Sequence, residues 1–125
     1  MALYSPSLKN KVALVTGGAS GLGLGISQAL VLSGVQVIMT DIDKSRGEAE
    51  AKALACGFIH HDVSDENAWN HVIEAVENQY KKLHILVNNA GIEGNPVSTP
   101  ETASLADWQL IHRINVEGVF LGCRS

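Results

Sequence analysis

Short apolar segments alternate along the chain with longer segments in which apolar residues recur at helical spacing. The short segments are rich in β-branched residues and carry few charges, a pattern typical of buried strands in a parallel sheet. The predicted strands cover residues 11–15, 35–40, 57–63 and 84–90.

The intervals between these strands carry amphipathic patterns that predict helices. Gly34 follows the first helix as a stop signal, and the second helix covers about 44–55. Ser64 is predicted to be the N-cap of the third helix. The predicted buried positions are Leu22, Ile26, Ala29 and Leu30 in the first helix, Ala51, Leu54 and Ala55 in the second, and Trp69, Val72, Ile73, Val76 and Tyr80 in the third.

A loop follows the fourth strand, and Ser104 with Asp107 resembles a capping box that opens a last helix. Strands that alternate with helices predict an α/β fold with right-handed crossovers, a doubly wound parallel sheet in strand order 3-2-1-4. The chain stops at Ser125, still inside the last helical pattern. We therefore expect the N-terminal portion of a longer Rossmann-type domain, with an apolar fourth strand at an open edge.

Composition and charge narrow the class of protein. The 125 residues carry a formal net charge of −4, which argues against a nucleic-acid partner. The sequence has neither a secretory leader pattern nor an apolar run of roughly 20 residues, so we expect a cytoplasmic protein without membrane contact. Cys56 and Cys123 are interpreted as buried thiols in a reducing compartment. The histidines show no metal-ligand spacing, so no metal is expected.

Glycines cluster directly after the first strand, in "KVALVTGGASGLGLGI". A strand, a glycine-rich turn and a helix start together form a site for a dinucleotide pyrophosphate, because backbone N–H groups and the helix dipole attract the anion. A tight turn with incidental glycines is the alternative. Asp41 ends the second strand about 20 residues further on, where a ribose-binding carboxylate is expected.

These residues carry a resemblance to the short-chain dehydrogenase/reductase family. Residues 16–23, "TGGASGLG", are similar to its TGxxxGxG motif, and residues 88–91, "NNAG", to its NNAG motif. Asp62 and Val63 resemble its adenine-contacting pair. Asn115 resembles the helix asparagine that opens its Asn-Ser-Tyr-Lys catalytic set. The resemblance covers about residue 9 to the end.

The resemblance implies an NAD-dependent oxidoreductase that moves a hydride between the cofactor and a secondary alcohol or ketone. It assigns Asn115 a catalytic role, positioning a water through its backbone carbonyl, and it implies a homo-oligomer, a tetramer or dimer. The features are loosely similar to those of bacterial hydroxysteroid and cyclic-alcohol dehydrogenases. The implied cofactor-binding residues are Gly17, Ser20, Gly21, Leu22, Gly23, Asp41, Ile42, Asp62, Val63, Asn89, Ala90 and Gly91.

The family's catalytic serine and its YxxxK tyrosine and lysine come after the last helix, beyond Ser125. Neither Tyr4 nor Tyr80 is followed by lysine four residues later. We therefore expect the 125-residue chain alone to be inactive. A non-catalytic nucleotide-binding module that ends at Ser125 is the main alternative, and another Rossmann enzyme, such as a methyltransferase, is a third.

Several single residues allow a structural interpretation as well. Asn88 is equally consistent with hydrogen bonding that stabilises the strand end, whereas Asn89 favours cofactor contact. Without the family resemblance, Asn115 would be interpreted as an ordinary solvated helix residue. Trp69 and Trp108 fall at helical core positions, and both are predicted to be buried.

Overall fold

Four parallel strands form a single sheet in the computed structural model, which describes residues 7–125. The spatial order is β3-β2-β1-β4, as predicted. The strands are β1 Val12–Thr16, β2 Gln36–Asp41, β3 Gly57–His60 and β4 Ile85–Val87. The helices are α1 Gly21–Leu32, α2 Lys44–Leu54, α3 Glu66–Tyr80, α4 Leu105–His112 and α5 Gly118–Arg124, with a π-helical turn over Arg113–Glu117 between the last two.

Strand β1 lies at the centre of the fold, and all of its residues are buried. Val12 and Leu14 face a core built with α3 and α5. Ala13 and Val15 face a second core, to which α1 and α2 contribute. Successive side chains of a strand point to opposite faces, so the apolar run of β1 serves both cores. Helices therefore cover both faces of the sheet, which confirms the predicted doubly wound architecture.

The buried face of α1 agrees only in part with the predicted one, because Ile26 and Leu30 pack against the core but Leu22 does not. Leu22 is 81% exposed, whereas Gly23 and Ser27 are buried against the sheet. The Ser27 hydroxyl donates to the Gly23 carbonyl at 2.9 Å, which satisfies this buried polar group. The helix thus approaches the sheet through its smallest residues, and this close approach turns Leu22 outwards.

Strands β3 and β4 end earlier than predicted, and their neighbours explain why. Strand β2 ends at Asp41, so residues 61–63 have no ladder partner in the described sheet. Strand β1 ends at Thr16, which is level with residue 88, and residues 89–90 likewise pass beyond it. A strand needs a partner for its backbone groups, and sequence alone does not fix where the partner stops.

The capping residue of α3 is Asp65, not Ser64 as predicted. The Asp65 carboxylate accepts from the backbone N–H groups of Asn67 at 2.8 Å and Ala68 at 3.3 Å. The Ser64 hydroxyl instead donates to Asp62 at 2.7 Å. For α4 the prediction is confirmed, because Ser104 accepts from the N–H of Asp107 at 3.0 Å.

Besides Leu22, the predicted buried residues Ala55, Trp108 and Cys123 lie at the surface. Trp108 is 56% exposed and stacks on His112 one turn later, with ring centroids 3.7 Å apart. Cys123 is exposed as well, whereas Cys56 is half-buried. Trp69, by contrast, is fully buried as predicted. None of the helices within residues 7–125 has the length and apolar character needed to span a membrane.

Candidate functional site

A groove of about 450 Å³ opens at the carboxyl ends of the strands. This is the end of a doubly wound sheet at which ligands bind, and the volume is in the range of small-molecule sites. The groove brings together all of the predicted cofactor residues except Gly21 and Gly23. Its walls comprise Gly17, Ser20, Leu22, Asp41, Ile42, His61, Asp62, Val63, Asn89, Ala90, Gly91, Ile92 and Ile114.

The glycine-rich turn joins β1 to α1, and two of its glycines are required by close packing. Gly17 has φ +64°, and a Cβ there would lie 2.9 Å from Ala90 Cα. A Cβ on Gly23 would overlap the Gly17 carbonyl oxygen and the Asn89 side chain. Gly23 therefore allows α1 to pack closely against the turn, but it does not line the groove.

The first turn of α1 faces the groove without a side-chain cap. Ser20 occupies the N-cap position, and within the described residues its hydroxyl accepts no hydrogen bond from the first turn. Gly21 begins the helix with φ +55°. The N–H groups of a first helical turn have no partner inside the helix. They can therefore bind an anion together with the positive end of the helix dipole.

Asp41 is fixed by backbone donors on two sides. Its Oδ2 accepts from the N–H of Ala19 at 3.0 Å, and its Oδ1 accepts from the N–H of Asp43 at 2.9 Å. The carboxylate is half-buried, and it keeps lone pairs for a further donor in the groove. Ile42, the next residue, is 64% exposed and extends the same wall as an apolar surface.

Asp62 and Val63 lie in the turn after β3. Asp62 is exposed, and its Oδ1 accepts from both the backbone N–H and the hydroxyl of Ser64, at 2.9 Å and 2.7 Å. Its Oδ2 takes part in neither bond and can accept from a ligand. Val63 is 8% exposed and adds an apolar contact next to this carboxylate.

Thr16 connects the ends of β1 and β4. Its hydroxyl oxygen accepts from the N–H groups of Asn89 and Ala90, each at 3.0 Å, and donates to the Val87 carbonyl at 3.3 Å. These bonds satisfy backbone groups that have no strand partner. They also hold residues 89–91 beside the glycine-rich turn.

The side chains of the two asparagines of the NNAG segment make hydrogen bonds that were not predicted from the sequence. The Asn89 amide donates to the carbonyls of Thr16 and Gly17, at 3.0 Å and 3.1 Å, so it stabilises the strand end. Asn88, considered for that role, instead donates to Cys123 Sγ at 3.5 Å. Asn89 also lines the groove, so a structural role and a place in the site coincide.

Asn115 lies in the π-helical turn and is bonded to the loop after β4. Its Oδ1 accepts from the N–H of Ile92 at 2.8 Å, and its Nδ2 donates to the Ile92 carbonyl at 2.7 Å. The N–H of Gly118 bonds the carbonyl of Arg113, one residue further back than in an α-helix. Asn115 is absent from the groove wall among the described residues, although its neighbour Ile114 and its partner Ile92 belong to that wall.

Three groove residues, His61, Ile92 and Ile114, were not predicted from the sequence. His61 was considered only as a metal ligand, although its place directly before Asp62 at a strand end was a usable signal. It is 2% exposed, and its Nδ1 lies 3.0 Å from Thr40 Oγ1. Burial lowers the pKa of His61 to about 4, against smaller opposing effects of Asp62 and Asp65. The imidazole is therefore neutral at physiological pH.

Metal-binding groups of at least three His, Cys, Asp or Glu side chains do not occur within residues 7–125. The site that the structure assembles is instead built from glycine backbone, a helix N-terminus, carboxylates and apolar walls.

This combination of turn, carboxylate and helix asparagine agrees with a comparison of the whole chain. The family model described as short chain dehydrogenase matches residues 11–125. The chain belongs to this family.

Individual relatives agree with this assignment. The chain is 43% identical to the 3-beta-hydroxysteroid dehydrogenase of Comamonas testosteroni, over 94% of this chain and 46% of that protein. It is 36% identical to the NADP-dependent (R)-specific alcohol dehydrogenase of Lentilactobacillus kefiri, over 94% and 47%. The chain thus spans about half the length of these curated relatives.

A solved structure reproduces the fold. The 3-ketoacyl-(acyl-carrier-protein) reductase from Brucella melitensis, complexed with NADH, matches with a TM-score of 0.90 and 35% identity. The match covers 94% of this chain and 48% of that chain.

Proposed function

We propose that this chain forms the cofactor-binding part of an NAD-dependent oxidoreductase that acts on a secondary alcohol or ketone. The observation that carries the proposal is the groove itself. It joins an uncapped helix N-terminus to a fixed carboxylate, Asp41, at the carboxyl end of a parallel sheet. Membership of an oxidoreductase family supports the same conclusion.

The residues present fit a nicotinamide dinucleotide. Gly17 lines the groove and has no room for a Cβ beside Ala90 and Asn89, so at this position the backbone of the turn can face a pyrophosphate without a side chain in between. Asp41 can accept from ribose hydroxyls, and Asp62 Oδ2 can accept from the adenine amino group. Ala90 and Gly91 would contact the cofactor further along the groove. When bound, the nicotinamide accepts or donates the hydride.

Preference for NAD over NADP is a finer proposal, and Asp41 supports it. A carboxylate at the ribose repels the phosphate of NADP. The neighbouring wall residues Ser20 and Ile42 are not basic. Lys44, slightly further on, is exposed on the first turn of α2 and lies 4.0 Å from Glu48 of the same helix. The NADP-dependent relative from Lentilactobacillus kefiri shows that the family matches alone do not decide the cofactor.

Asn115 is proposed to act in proton transfer through its backbone carbonyl. Its side-chain amide both accepts from and donates to the backbone of Ile92, so the side chain joins the π-helical turn to the loop after β4. The tyrosine and lysine that the family resemblance implies for acid–base chemistry follow Ser125 in the family pattern. We therefore propose that the 125-residue chain alone is inactive. Losing such a proton-transfer group typically costs a factor of about 10²–10⁴.

Three further expectations from the sequence remain predictions. These are the homo-oligomeric state, the cytoplasmic location, and the assignment of residues 1–125 to one NAD-binding domain. Residues 1–6 of that range, with Tyr4, lie outside the described residues.

The decisive experiment measures NADH binding by calorimetry and NAD-linked oxidation of a hydroxysteroid and a cyclic secondary alcohol. The full-length protein should bind NADH saturably and reduce NAD with at least one substrate, whereas the 125-residue chain should show no turnover. Absence of NADH binding by the full-length protein would overturn the proposal. Binding without turnover on any alcohol or ketone would favour the non-catalytic module.

A further inference from the structure

The turn His61–Val63 follows β3 and forms one wall of the groove. Its backbone is joined to β2 through the N–H of His61, which donates to the Asp41 carbonyl at 2.9 Å. Beyond that point β2 has ended, and the turn leaves the described sheet. The N–H of Asp65 donates to the Asp62 carbonyl at 3.1 Å, which is a local bond, and contacts with other elements add to it in fixing where Val63 lies.

Trp69, on α3, provides such an anchor. Its side chain is fully buried, and its indole Nε1–H donates to the Val63 carbonyl at 2.9 Å. The same ring system meets the His61 ring edge-on, with centroids 4.5 Å apart and an interplanar angle of 87°. A single side chain thus contacts the first and the last residue of the turn.

Helix α5 closes the other side of this contact. A Cβ on Gly118 would lie 2.9 Å from Val63 Cγ2, and one on Gly122 would lie 2.8 Å from Trp69 Cη2. The backbone of α5 therefore lies directly against both residues. Because protein interiors resist small changes of volume, the indole and the turn have little freedom to shift independently.

We propose that Trp69 is a positioning residue for the adenosine end of the cofactor. It holds the His61–Val63 turn so that Asp62 and Val63 face the adenine. Trp69 is absent from the described groove wall, so its effect on the cofactor passes through Val63. This inference rests on the proposed function, because it requires a nucleotide in the groove.

The test compares Trp69→Phe with Trp108→Phe in the full-length protein. The chemical change is the same, but Trp108 is exposed and stacks on His112, away from the turn. Calorimetry measures the affinity for 5′-AMP, which carries only the adenosine half, and for NADH. Loss of the hydrogen bond to a buried carbonyl should weaken both affinities about tenfold in Trp69→Phe and leave them unchanged in Trp108→Phe.

Kinetics separate positioning from a merely structural role. A positioning role raises the KM for NAD about tenfold at unchanged kcat, because the lost interaction is made equally in ground and transition states. A structural role lowers apparent kcat through loss of folded protein and leaves the KM and the AMP affinity unchanged. That second pattern would overturn the inference.

A second replacement covers the case in which Trp69→Phe fails to fold. Benzothienylalanine at position 69 keeps the size of the ring system and replaces the N–H with sulfur, so it removes the hydrogen bond without leaving a cavity. It should weaken AMP binding to the same extent, and an unchanged AMP affinity would overturn the inference. If the unsubstituted protein binds neither AMP nor NADH, the proposed function fails. If it binds both and the Trp69 variants bind them equally well, only the inference about Trp69 fails.

Discussion

The Asp41 carboxylate accepts a hydrogen bond from the backbone N–H of Ala19, with 3.0 Å between Oδ2 and the nitrogen. The bond joins the end of β2 to the glycine-rich turn that begins α1. A second bond, from the N–H of Asp43 to Oδ1, fixes the same carboxylate from its own loop. The negative charge at the groove is thus held in place before any ligand arrives, which favours discrimination between ligands.

Replacing Asp41 with Asn should shift cofactor preference towards NADP. Two unit charges about 5 Å apart repel by roughly 3 kcal/mol at an effective dielectric constant of 20, and solvent screening reduces this value. We expect the ratio of kcat/KM for NADP to that for NAD to rise roughly 10- to 100-fold, because the repulsion is removed. Steady-state kinetics of the full-length protein with both cofactors measures the ratio.

Asp43→Asn is the matched control for this change. It removes the same charge two residues away, and asparagine caps a helix about as well as aspartate. The Asp43 side chain caps α2 through the N–H of Arg46 and does not line the groove wall of the described residues. A similar shift in Asp43→Asn would mean that net charge, not the position of Asp41, sets the preference.

The sequence predicted the parts of this protein that depend on periodicity and local chemistry. The strand order was expected from the alternation of strands and helices along the chain. The glycine-rich turn, the buried Trp69 and the Ser104 cap follow from patterns within short windows. Errors arose where particular hydrogen bonds and packing contacts decide, because hydrophobic periodicity does not encode them. Leu22 is exposed because α1 packs through Gly23, and Asp65 replaces Ser64 as a cap because Asp62 engages the Ser64 hydroxyl. The role of Thr16 also depends on residues more than 70 positions away.

Removing the Thr16 hydroxyl should destabilise the protein and loosen the groove. Thr16→Val leaves the N–H of Ala90 without its acceptor, at a cost of about 1–3 kcal/mol. The N–H of Asn89 loses one of two acceptors, because it also bonds the Val87 carbonyl at 3.0 Å. Thr16→Ser keeps the oxygen and should cost less than about 1.5 kcal/mol. Urea unfolding measures both changes, and NADH affinity should fall with the valine variant only. Equal stability of the two variants would contradict this assignment of the hydroxyl.

Two glycines of the same helix should respond in opposite ways to alanine. Gly23→Ala places a methyl group against the Gly17 carbonyl and the Asn89 amide, so we expect a loss of about 1–3 kcal/mol and at least about tenfold weaker NADH binding. Gly25 has open space around its Cβ position, so Gly25→Ala should stabilise the protein by roughly 0.5–1 kcal/mol. Thermal unfolding measures the change in stability of both variants, and calorimetry measures their affinity for NADH. Normal NADH binding by Gly23→Ala would show that the turn tolerates a shift of α1.

The buried histidine should make stability depend on pH below neutrality. Burial lowers the pKa of His61 from 6.5 to about 4, and its Nε2 is buried without a hydrogen-bond partner among residues 7–125. Between these two values the unfolded chain binds a proton that the folded protein does not. Stability is therefore full above pH 6.5, falls as the pH is lowered and stops falling near pH 4. A single linked proton contributes a slope of at most about 1.4 kcal/mol per pH unit.

His61→Gln tests this linkage, because glutamine is neutral throughout. Urea unfolding at several values between pH 5 and 7 should give a shallower pH dependence for His61→Gln than for the unsubstituted protein. His71→Gln is the control, since His71 is exposed on α3 and bonds only its own helix, through the Asn67 carbonyl at 2.7 Å. Its slope should match that of the unsubstituted protein. The carboxylates of Asp62 and Asp65, which act on His61, are present in all three proteins. The difference in slope therefore reports the protonation of the His61 imidazole alone. Parallel curves for His61→Gln and the unsubstituted protein would show that His61 takes up its proton equally well in the folded state, and that its burial does not keep it neutral.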